Sequence, residues 1–132
     1  MGEARKQDVN FVVVPTMTEH DVISLLLNRF PAMRDLLCAD EESRDLATCV
    51  YDRFAAEVVR GAGDREFFAS VIRFIDDIAE GRDTLLRTVL EMDLLEGIAA
   101  DADVAQKVSD AVGDTARRLL HDVERKTYGR IR

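Results

Sequence analysis

From Thr18 onward, apolar residues return every three or four positions, the spacing of an amphipathic helix. Leu46, Val50, Phe54 and Val58 fall four apart, and Val71, Ile72, Ile75 and Ile78 trace a similar stripe further on. Alternating runs joined by tight-turn residues do not occur, so hairpins do not enter the reading. Helix breakers stand between the stripes, at Pro31, Gly61, Gly81 and Gly129.

These signals place the helices. Thr18 is a natural N-cap with Asp21 three residues on, and Val22, Ile23, Leu26, Leu27 and Phe30 share one face. Pro31 ends that helix and opens a short one to about Cys38. Asp40 begins the next segment, which stops at Gly61 as a left-handed terminal residue. Asp64 caps a helix with Phe67, Phe68, Val71, Ile72, Ile75 and Ile78 inward, ending at Gly81. Asp83 starts another, with Leu85, Leu86, Val89, Leu90, Leu94, Leu95 and Ile98 as its apolar set. Asp103 caps the last, in which Val104, Val108, Val112, Leu119 and Val123 face one way until Gly129. Connections of roughly two to four residues favour antiparallel neighbours. The expectation is all-α: a compact antiparallel bundle of five longer helices plus one short helix, with a short extended N-terminal arm. Residues 18–132 form the single domain and residues 1–17 the arm or leader, with Asn10–Pro15 (NFVVVP) the one β-like run.

The chain's 132 residues, 47 % apolar, suffice for one core and not for two. No apolar run approaches the roughly 18 residues of a membrane span. Met1–Asp8 mixes charges and leads into only a short apolar run, unlike a secretory signal, so the expected location is cytoplasmic. Cys38 and Cys49 lack a CxxC or zinc-ligand spacing and read as reduced packing residues. His20 and His121 are far apart without ligand partners at helical spacing, and read as surface residues. Glycine-rich phosphate loops, HExxH and GxSxG are missing, so no cofactor, metal or catalytic residue is expected. Arg53-Phe54 before Gly61 and Arg73-Phe74 before Gly81 make an echo offset by 20, which similar glycine-terminated helices also produce.

Charge carries the functional signal. Eighteen bases against 26 acids give −8, which disfavours nucleic acid and anionic lipid as partners. Residues 117–132 hold six bases (Arg117, Arg118, Arg125, Lys126, Arg130, Arg132) and two acids (Asp122, Glu124), leaving twelve bases against 24 acids elsewhere, or −12. Asp76, Asp77, Glu80, Asp83, Glu91, Asp93, Glu96, Asp101 and Asp103 lie within 76–103 with only Arg82 and Arg87 to offset them. Asp76 and Glu80 stand four apart, where like charges repel. Three readings are open for this stretch: a solvated face, an interface for a basic protein, or a hard-metal or acid–base site. The basic end reads as cations answering a helix C-terminus, as a self-association element, or as a phosphate contact.

Arg29-Phe30-Pro31, Phe74-Ile75-Asp76-Asp77-Ile78 and Leu94-Leu95-Glu96-Gly97-Ile98 resemble, in order and approximate separation, a group of small all-helical bacterial domains of unknown biochemical function. The likeness covers roughly residues 18–100. Some members of that group look like immunity proteins, which neutralise a toxin from the same or neighbouring bacteria. The resemblance implies a binding protein without catalysis, with Glu96 matching the glutamate of the late motif. The expected partner-binding residues are Asp76, Asp77, Glu80, Asp83, Glu91, Asp93 and Glu96, facing a basic partner such as a toxin of the nuclease type. The competing expectation is a structural or regulatory protein that forms homo-oligomers through its acidic body and basic tail.

Overall fold

The computed structural model describes residues 16–39 and 44–130, and every element within them is helical. The β-like run Asn10–Pro15 and the helix start at Asp40 lie outside the described residues. Thr18 opens α1 (Glu19–Arg29) with a reciprocal capping box: its hydroxyl accepts from the Asp21 N–H at 3.1 Å, while the Asp21 carboxylate accepts from the Thr18 N–H at 3.3 Å. Pro31 begins a 3-10 turn (Pro31–Met33) that runs into α2 (Arg34–Leu37). Then come α3 (Ala47–Arg60) and α4 (Arg65–Glu80), the latter capped by Asp64.

The next segment organises the rest. Asp83 caps α5 (Thr84–Val89), which continues without a break through a π-helical segment (Leu90–Leu95) into α6 (Glu96–Ala99). At 3.6 residues per turn its apolar positions Leu86, Leu90, Leu94, Leu95 and Ile98 cover about half of the circumference, wider than the roughly 100° stripe of a surface helix, so several neighbours must cover it. All five side chains are buried, and the segment touches α1, α3, α4, α7 (Ala102–Ala111) and α8 (Asp114–Tyr128). The bundle is therefore built round this central helix.

Aromatic rings fill one side of the core. Phe30 lies 4.9 Å from Phe54, 5.6 Å from Phe74 and 5.9 Å from Phe67, centroid to centroid, and Tyr51 stacks on Phe74 at 6.2 Å. The echoed Arg-Phe pairs thus bring Phe54 and Phe74 edge to face, 6.0 Å apart. Phe74 lies fully buried, outside the predicted inward set of α4, because rings from the loop after α1 and from α3 meet that flank too. Tyr51 is sealed in, its hydroxyl donating to the Val22 carbonyl at 2.8 Å, and burial pushes its phenol well above the ordinary range.

Three local expectations are corrected. The helix expected from Asp103 is two, broken at Val112–Gly113, and α7 is capped by Asp101 rather than Asp103. Arg117 explains the break: its guanidinium donates to the carbonyls of Ser109 (2.8 Å) and Val112 (2.6 Å), taking up the open end of α7. Gly61 is not left-handed (φ −97°); it is small because a Cβ there would stand 3.0 Å from the Phe67 ring. Gly129, expected only to close the last helix, does so in the left-handed conformation, at φ +66°. His121 is half-buried with Nε2 2.7 Å from the Ser109 hydroxyl, so it ties α8 to α7 rather than facing water.

Candidate functional site

Helices of four to sixteen residues leave many backbone groups open at their ends, and charged side chains close them. Acids sit at N-termini: besides Asp64, Asp83 and Asp101, Glu19 accepts from the Ala47 N–H of α3 at 2.6 Å. Bases sit at C-termini: Arg53 donates to Leu37 O, Lys107 to Ala62 O and Arg130 to Ala99 O. A good part of the chain's charge is thus fold-building, and the seven expected interface carboxylates divide along that line.

Asp76 is one of the fold-builders. Its Oδ1 accepts from the Gly113 N–H at 2.9 Å, steadying the start of α8 from across the bundle. Asp83 is another: one oxygen caps α5 at the Leu86 N–H (2.9 Å) and the other takes the Met17 N–H (2.5 Å), so the end of the arm is pinned to the central helix. Asp77 pairs with Arg29 of α1 at 3.0 Å and stays largely exposed. Glu91 faces Arg87 Nε at 3.6 Å, a charge contact beyond hydrogen-bond reach. Glu80 is exposed at the end of α4.

Asp93 and Glu96 are differently placed. Asp93, on the π-helical segment, accepts from the Thr48 hydroxyl of α3 at 2.6 Å. Burial holds its carboxyl above the ordinary aspartate value; the Thr48 hydrogen bond opposes the shift, and the charges of Asp52 and Glu96 add to it. Asp52 was not among the expected residues. It lies 41 positions before Asp93, and only the packing of α3 on the π segment unites them. Met92, beside Asp93 in the chain, is 61 % exposed, and Tyr128 is exposed with its hydroxyl on the Glu96 carbonyl at 3.3 Å. The result is a like-charged trio, Asp52, Asp93 and Glu96, with two large exposed side chains nearby.

The basic tail is largely occupied. Arg117 closes α7, while Arg130 spans Ala99 O (2.8 Å) and the fully buried Glu124 (2.6 Å). Lys126 and Arg125 both contact Asp122, and the Lys126 hydrogen bond is the main cause of that carboxyl's lowered value. Among the described residues, no group of three or more His, Cys, Asp or Glu side chains converges as a metal site. Both cysteines are free, and none of the described helices is long and apolar enough to cross a membrane. Comparison with protein-family models, curated proteins and solved structures gave no match.

Proposed function

We propose that this chain is a non-catalytic, cytoplasmic protein-binding module whose acidic face, centred on Asp52, Asp93 and Glu96, occupies the basic site of a partner. The carrying observation is the placement of Asp93. It is a partly desolvated carboxylate held by Thr48 beside two further acids, with no cation among the groups acting on it. Such an arrangement is unfavourable in the isolated protein and is relieved when a partner supplies Lys or Arg. Met92 and Tyr128 offer the apolar and aromatic contact that interface cores favour. The mechanism is occlusion, with carboxylates standing where phosphates would bind. A nuclease-type toxin is the partner class this chemistry fits, and the chain would then act as an immunity protein. Self-association through the basic tail has less support, since Arg117 and Arg130 are engaged within the fold.

Affinity capture from the source lysate tests the proposal, comparing the wild type with the triple variant Asp52→Lys, Asp93→Lys, Glu96→Lys at low and moderate salt. A basic protein held by the wild type, released by salt and lost by the variant is the expected result. Equal recovery by both baits refutes the site.

A further inference from the structure

A second site lies on the flank formed by the loop after α3, the first half of α4 and α7. An open groove of about 520 Å³ runs there, with Phe68, Ala69 and Ile72 in its apolar lining. Its size falls within the range of small-molecule sites, roughly 300–1,000 Å³, which are mostly apolar with a few polar groups fixing the ligand. The charge of its wall is what distinguishes it. In a chain of net charge −8, the groove is lined by Arg65, Arg73 and Lys107 and by no carboxylate. Lys107 is held in place: its ammonium donates to Ala62 O at 2.9 Å and lies 5.2 Å from the centre of the Phe68 ring. Arg73 donates to the Ser70 hydroxyl at 3.2 Å, and Arg65 is exposed. An apolar lining with three cations matches a ligand with an apolar body and an anionic head.

We infer that this groove binds a small anionic amphiphile, an aryl or acyl carboxylate or sulfonate, with the apolar body on Phe68 and Ile72 and the head among Arg65, Arg73 and Lys107. The site is separate from the acidic trio and does not depend on the protein-binding proposal.

The probe is 1-anilinonaphthalene-8-sulfonate, with its uncharged relative N-phenyl-1-naphthylamine as comparison, titrated calorimetrically into the full chain. Backbone amide shifts locate the site. The structure predicts one saturable site for the sulfonate, with shifts centred on residues 62–73 and 107–111. The double variant Arg65→Glu, Arg73→Glu should weaken binding by roughly tenfold or more, from two reversed surface charges. Ala69→Phe, at an exposed α4 position, fills the groove and should abolish binding while leaving the thermal midpoint in place. The inference is overturned if the wild type shows no saturable binding, if Ala69→Phe binds as the wild type does, or if the uncharged probe binds as tightly as the sulfonate. It is also overturned if sedimentation shows a dimer that Ala69→Phe dissociates, since a second copy of the chain would then be the occupant.

Discussion

An alanine at position 97 puts a Cβ 2.6 Å from the Ala55 Cβ, where α6 crosses α3. Carbon atoms in good contact stand about 3.5–4 Å apart, so the two helices must separate by about 1 Å. Ala55 is 1 % exposed and Gly97 is half-buried between Leu95 and the fully buried Ile98 and Ala99, so the packed neighbours must take up the strain. Overpacking of this kind costs about 1–3 kcal/mol. Alanine's better helix propensity returns up to about 1 kcal/mol. The expected net loss for Gly97→Ala is about 0–3 kcal/mol, each kcal/mol lowering Tm by roughly 3–5 °C in a chain of this size. Urea unfolding followed by far-ultraviolet circular dichroism measures it. Ala55→Gly is the partner perturbation: in that background the clash is gone and Gly97→Ala should become stabilising, by up to about 1 kcal/mol. Gly63→Ala, where a Cβ meets nothing within 4 Å, is the neutral control. If the effect of Gly97→Ala is the same with Ala55→Gly as without it, the close α3–α6 crossing is wrong.

Asp76→Ala should lower stability by about 0.5–1 kcal/mol through loss of its bond to the Gly113 N–H, while partner capture stays unchanged; urea melts and the capture assay read the two effects. Arg130→Met removes the guanidinium that pairs with the buried Glu124 carboxylate at 2.6 Å, with an expected loss of about 2–4 kcal/mol that Glu124→Gln in the same chain partly restores, measured by the same melts. For Asp93→Asn the sign follows from the raised carboxyl. Its protonated form favours folding, and that contribution is lost as pH rises through the raised folded value. The non-ionising variant should therefore have the higher Tm at neutral pH. The gap should close as pH falls below the ordinary aspartate value of about 4, as thermal melts across that range will show.

Helix existence was readable from residue spacing, because one buried stripe per helix leaves a local record. Thr18, Asp64 and Asp83 cap where their positions suggested, since each acts within its own first turn. Features set by distant residues were not readable. The apolar phase continues from Val104 through Val112 to Val123, so the one local mark of the break is Gly113 itself. Asp76, 37 residues away, and Arg117 hold it. The π-helical segment likewise lies within an unbroken apolar pattern, against α3. Counting acids along 76–103 grouped Asp76 and Asp83 with Asp93 by chain proximity, whereas the fold assigns the first two to backbone N–H groups and the third to a shared surface. Asp52 lies outside that window in the chain, and helix α3 carries it to the same surface.

The central claim is that a local acidic face, rather than overall negative charge, captures the partner. The direct measurement is the association rate of the captured protein across ionic strengths. Three chains are compared: the wild type, the triple variant at Asp52, Asp93 and Glu96, and a control carrying Glu66→Lys, Asp103→Lys and Asp110→Lys, which changes net charge equally. The account predicts a loss of at least roughly tenfold at low salt for the first variant, shrinking as salt rises, with the control much closer to the wild type. Equal slowing of the two variants would contradict it, because long-range charge alone would then account for capture.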